Sequence, residues 1–195
     1  MNIIFIDLET SGLNPIEHEI LEVGLAYKGQ DNLWREESYK IKMEHPEKAD
    51  PKALEINGYS EHKWKYAQTL QEFLPSFLDR LGNFHVIGGQ CVNFDVNFII
   101  GQAQKIGLGD LAQKKVSRRL VDTTCLAYEH CVPYGLKSLS LKNICDWLDI
   151  PQTEAHTALG DIKATTAVYD KLSRCTEIER RFWGFKNKLR KLRSK

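Results

Sequence analysis

Ile3-Ile4-Phe5-Ile6-Asp7-Leu8-Glu9 is an apolar run that closes on two carboxylates separated by one leucine. Its apolar start reads as a buried strand, and the alternation of a strand puts Asp7 and Glu9 on one face. Two like charges at a strand end repel unless a cation sits between them. A lone Asp-x-Glu is better read as a solvated edge pair, so the metal reading turns on what the rest of the chain supplies. It supplies Asp95 just after a second apolar segment, and His156 and Asp161 at the start of a late amphipathic helix.

Working outward from that strand, residues 10–19 hold Gly12 and Pro15 and read as a loop, followed by strands over 20–27 and 34–43. Three neighbouring strands of this kind are expected to pair antiparallel. Leu70, Phe73, Leu74, Phe77, Leu78 and Leu81 recur at three and four, which predicts a helix over 70–81. Residues 86–89 form a short apolar strand ending in Gly88-Gly89, and helical spacing resumes over 93–105, so Asp95 falls at a helix start. A short strand over 120–122 and helices near 124–130, 138–148 and 157–172 complete the pattern. Adjacent strands first and strand-helix alternation later describe an α/β fold, a mixed sheet flanked by helices.

The length of 195 residues suits one globular domain with a sizeable core, and no repeat, low-complexity segment or Pro/Gly/Ser-rich linker interrupts it. No apolar stretch reaches the roughly 18 residues of a membrane span, and the N-terminus lacks a basic signal-peptide start, so a soluble, cytoplasmic protein is expected. Five cysteines without C-x-x-C spacing indicate neither a disulfide framework nor a zinc site. The net charge of +1 conceals an asymmetry: residues 180–195 carry eight Lys/Arg and no Asp/Glu, against 19 basic and 26 acidic residues before them. We therefore separate a globular domain, 1–175, from a basic C-terminal extension, 176–195. The extension interleaves aromatics with cations, as a strand-tracking surface does, and fits a solvated terminal helix as well.

Phosphodiester hydrolysis with two divalent ions needs carboxylates that bridge and flank metals roughly 4 Å apart. Mg²⁺ or Mn²⁺ prefers oxygen ligands, which suits an all-carboxylate set. His156 is the candidate general base, because histidine titrates near neutral pH. Within one helix, five residues would turn His156 about 140° away from Asp161, so His156 must lie on the loop before a helix that Thr157 caps. The other histidines, His18, His45, His62, His85 and His130, have no carboxylate at metal-ligand spacing and read as surface or satisfied side chains.

Three segments, Asp7-Leu8-Glu9-Thr10-Ser11-Gly12-Leu13, Asn93-Phe94-Asp95, and His156 five residues before Asp161, resemble the exonuclease motifs of the DEDDh (DnaQ-like) family. That family includes the epsilon subunit of bacterial DNA polymerase III and RNase T. The resemblance implies a ribonuclease H-like fold and metal-dependent 3′-to-5′ hydrolysis of DNA or RNA ends to nucleoside 5′-monophosphates. It also implies that Asp7, Glu9, Asp95 and Asp161 hold two Mg²⁺ or Mn²⁺ ions and that His156 activates the water. By the same likeness Leu8, Thr10, Gly12, Leu13 and Asn57 contact the terminal nucleotide, Leu13 as a wedge between the last bases. Val121-Asp122-Thr123 and Leu136-Lys137-Ser138-Leu139 match further family elements, whereas Gln90 and Cys91 stand where the second motif commonly begins with His-Asn. Two alternatives keep the fold: a subunit docked through its basic tail on a polymerase or nuclease complex, and a binding module without turnover. The presence of all four carboxylates favours catalysis over the latter.

Overall fold

The chain, described by a computed structural model over residues 1–152 and 157–193, forms a five-stranded sheet with helices on both faces. In chain order the strands are β1 (Ile3–Thr10), β2 (Ile20–Lys28), β3 (Trp34–Lys40), β4 (Val86–Gly89) and β5 (Leu120–Asp122). The helices are α1 (Pro51–Ile56), α2 (Leu70–Leu81), α3 (Val92–Lys105), α4 (Gly109–Lys115), α5 (Thr123–Cys131), α6 (Leu141–Leu148), α7 (Ala158–Leu172) and α8 (Glu177–Arg193). The strand order is β3-β2-β1-β4-β5; β1, β2 and β3 pair antiparallel, and β4 and β5 join parallel to β1. The mixed sheet expected from the sequence is therefore the one observed.

Alternation along β1 divides the molecule. Ile4, Ile6 and Leu8 enter the larger core with β2, α2 and α3. Phe5 points the other way, into a cluster with Ala26 and Ile162, and Asp7 and Glu9 follow it on that face. Helix α2 starts with a full capping box, Thr69 and Glu72 each satisfying the other's backbone N–H. Its six periodic apolar residues are all buried, each worth about 1.5–3 kcal/mol of burial.

Over its described residues, 176–193, the extension is neither frayed nor free of the body. Helix α8 lays Trp183 on a second core built from α5, α6 and α7, and Asn187 donates to the Trp147 and Trp183 carbonyls at 3.0 and 2.9 Å. Lys186 and Arg190 both pair with Asp149. Helices α1 and α4 were not expected: both are short, and α1 depends on Asp50, which accepts from the Lys52 N–H, and on a Pro at its first turn.

One contact sets the site. Gly24 on β2 sits opposite Asp7, and a Cβ there would lie 2.3 Å from the Ala158 carbonyl oxygen. Only glycine lets the first turn of α7 come down onto the sheet. Gly24→Ala should push α7 outward, costing about 1–3 kcal/mol of stability and lowering turnover on the order of 10²-fold through misplacement of Asp161. Thermal unfolding and initial rates on one oligonucleotide check this; a destabilised variant with unchanged turnover would separate the contact from the site.

Candidate active site

Asp7 and Glu9 leave the end of β1 on the face that α7 covers. Asp161 arrives from the first turn of α7, whose N-cap Thr157 accepts the Gly160 N–H through Oγ1 at 3.0 Å. Carboxylate oxygens of Asp7, Glu9 and Asp161 all come within 4.8 Å of one another. Asp95, 4% exposed, enters from the first turn of α3 and accepts the Leu8 N–H at 3.1 Å, against the same strand. Four carboxylates from three segments thus meet at one end of the sheet. His156 lies outside the described residues.

The electrostatics are those of an anionic cluster. Burial, then the neighbouring Asp95, Asp161, Glu9 and Glu22, push Asp7 well above the usual carboxylate range. Burial, then Asp161 and Glu22, bring Glu9 to about 7. Burial also raises Asp95 against the opposing Leu8 N–H bond. Hard oxygen donors this close, with Asp7, Glu9 and Asp95 resisting ionisation, fit a divalent cation, which would relieve the repulsion.

Stability of the metal-free protein should follow these shifts. A carboxyl raised from 4.5 in the unfolded chain to about 7 when folded contributes stability below its unfolded value, and that contribution is lost as pH rises through 7. The melting temperature in chelator should therefore fall between about pH 5 and 8, and Mg²⁺ should restore more of it at the upper end. Melting curves with and without Mg²⁺ across that range test this. A flat chelator profile would mean that the cluster does not titrate as described.

Positioning residues surround the cluster. Asp122, the N-cap of α5, accepts from the backbone N–H groups of Cys91, Val92 and Thr124 at 3.1, 3.2 and 2.8 Å, fastening the start of α3 beside Asp95. Cys91 takes a left-handed φ of 55° to make that turn. Gln90 donates to the Leu139 carbonyl at 2.9 Å and accepts from Thr123 Oγ1 at 2.5 Å, tying the loop before α6 to the second motif. Glu22 is 6% exposed, opposite Glu9 on β2 and adjoining Lys40 on β3. Neither Glu22 nor Gly24 belongs to a motif; the only local signal for them is a lone charge and a lone glycine inside an otherwise apolar strand.

The residues expected to contact a nucleotide divide. Leu8 is buried in the core. Thr10 donates from Oγ1 to the Gly12 carbonyl at 2.7 Å, and Asn57 donates to the Thr10 carbonyl at 3.2 Å while accepting the Tyr59 N–H. Gly12 packs on the His18 ring, 2.4 Å from where a Cβ would stand. These groups hold the β1 loop in shape, and Leu13, 79% exposed, projects from it. Leu13 does not pack into the core.

An exonuclease family, RNase_T, matches residues 4–169. The chain is 28% identical to the DNA polymerase III PolC-type protein of Caldanaerobacter subterraneus subsp. tengcongensis over 170 residues, 87% of this chain and 11% of that one. It is 28% identical to the corresponding Thermotoga petrophila protein over 166 residues, 85% and 11% of the two chains. The chain thus spans only about a tenth of the length of these relatives. Among solved structures, E. coli Exonuclease I in complex with a dT13 oligonucleotide aligns with a TM-score of 0.71 at 17% identity, over 88% of this chain and 41% of that one. The zinc-bound form of E. coli Exonuclease I with single-stranded DNA gives 0.75 at 19%, over 93% and 42%. At these identities the likeness is one of fold. Among the described residues no helix is long and apolar enough to cross a membrane.

Proposed function

The chain belongs to the RNase_T exonuclease family, within the DnaQ-like group, and on that premise we propose that it removes nucleotides one at a time from 3′ ends. The substrate is single-stranded or frayed nucleic acid, the products are nucleoside 5′-monophosphates, and the setting is cytoplasmic. The observation that carries the reading is the approach of Asp7, Glu9 and Asp161 within 4.8 Å, with Asp95 fastened against the same strand.

In this reading Asp7, Glu9, Asp95 and Asp161 hold two Mg²⁺ or Mn²⁺ ions. Bound there, the ions supply an activated water and stabilisation of the leaving oxygen. His156 takes the proton from the attacking water. Leu13 wedges against the terminal base, while Thr10 and Asn57 keep its loop rigid, so their contribution is to position and not to touch. Leu13→Ala should accordingly raise KM several-fold with kcat little changed; steady-state kinetics on one oligonucleotide check this, and an unchanged KM would remove the wedge.

The relatives' names and the oligonucleotides bound to Exonuclease I support DNA as the favoured substrate. Discrimination against RNA rests on contacts to the 2′-OH. Digestion of DNA and RNA strands of matched sequence with Mg²⁺, with products separated by anion exchange, tests the proposal. Nucleoside 5′-monophosphates, formed faster from DNA, are expected; 3′-monophosphates would overturn it.

A further inference from the structure

Helix α8 has a second face, turned to solvent. Ile178, Phe182, Phe185, Leu189 and Leu192 lie along it, between 40 and 80% exposed. Their spacing is four, three, four, three, the 3.5-residue period of a coiled-coil seam. Single exposed apolar residues are ordinary, but five in register along about 21 Å of helix are not. The stripe is narrow, unlike the broad apolar face of a helix lying in a bilayer surface. Three of its five residues are aliphatic and offer no ring on which a base could stack.

Charge identifies what it fits. The helix carries seven Lys/Arg, and its two acidic residues, Glu177 and Glu179, are both in the first turn. Arg181 and Lys188 flank one edge of the stripe immediately before Phe182 and Leu189, and Lys186 flanks the other after Phe185. Arg181 is paired with Glu177 and Lys186 with Asp149, while Lys188 stays exposed. A second copy would set these flanks against their own kind, and an acidic helix would pair with them. Beside the stripe a cavity of about 380 Å³ opens among Tyr134, Trp147, Arg181, Phe185 and Lys188. The Trp147 Nε1 is buried without a hydrogen-bond partner among the described residues. A pocket with apolar walls and a cationic rim suits an anchoring side chain next to a carboxylate.

We propose that the outer face of α8 docks an amphipathic helix of another protein, whose apolar residues follow the same heptad spacing and whose flanking positions are acidic. The inference stands apart from the catalytic reading. Two labelled synthetic helices of about three heptads test it, both with Leu at the seam, one with Glu and one with Lys at the flanks. With the full chain, fluorescence anisotropy should show the Glu helix binding at micromolar Kd and at least about tenfold more tightly than the Lys helix. The double variant Phe182→Glu, Leu189→Glu should lose that binding while keeping its melting temperature and its digestion of a short oligonucleotide. Arg181→Glu with Lys188→Glu should reverse the preference between the two helices. Equal affinity for both would overturn the proposal. So would a wild-type dimer in sedimentation that the double variant abolishes, or loss of oligonucleotide affinity in that variant with neither helix bound.

Discussion

Asp7→Asn and Asp161→Asn are each expected to reduce turnover with Mg²⁺ by about 10³-fold or more, since under the proposed mechanism each removes one carboxylate from a site whose bound ions would supply several kcal/mol of transition-state stabilisation. The amide keeps the shape of the side chain, so the fold has no steric reason to fail. At Asp7 it also replaces a carboxyl whose ionisation burial, Asp95, Asp161 and Glu9 already oppose with a group that never has to ionise, and at Asp161 it removes a neighbour that raises both Asp7 and Glu9. The metal-free variants should therefore melt at or above the wild-type temperature near neutral pH, and the increment gained on adding Mg²⁺ should shrink. Loss of activity together with retained or raised stability distinguishes a ligand from a structural residue. A folded Asp7→Asn protein with wild-type turnover would exclude Asp7 from the site.

His156→Ala is expected to slow the chemical step by roughly 10²- to 10⁴-fold while leaving the Mg²⁺-dependent rise in melting temperature intact. A histidine base titrates near pH 6.5, yet Glu9, brought to about 7 by burial, Asp161 and Glu22, titrates in the same window when no metal is present. Single-turnover rates at saturating Mg²⁺ separate the two, because an ion on Glu9 keeps that carboxylate ionised across the range. The wild-type rate should then rise with pH through the histidine value and level off, and the variant should lack that rise. An identical profile in both proteins would assign His156 a structural role.

What could be read in advance followed from periodicity. The residues spaced at three and four from Leu70 to Leu81 form α2 with those bounds, and the apolar run before Asp7 is a strand with both carboxylates on one face. The helix that Thr157 caps begins at Ala158. What could not be read depends on contacts between distant segments. Nothing local marks Gly24 as the place where the Ala158 carbonyl comes down, nor Asp122 as the clamp on Cys91 and Val92, about thirty residues away. Leu8, Thr10 and Asn57 resemble nucleotide contacts by motif, yet their polar groups go to the chain itself, because a loop beside a charged site must first satisfy its own backbone. The extension was legible as basic and aromatic. Its division into an inner face holding Trp183 and Asn187 and an outer apolar stripe emerges only once the second core is in place.

The central claim, that this carboxylate cluster supports metal-dependent removal of nucleotides from 3′ ends, is tested most directly by digesting one 5′-labelled single strand and resolving the fragments nucleotide by nucleotide. With Mg²⁺ the labelled strand should shorten in single-nucleotide steps from its 3′ end, and with chelator it should stay intact. Internal cuts from the earliest time points, immediate release of the 5′ label as a mononucleotide, or the same ladder in chelator would contradict it.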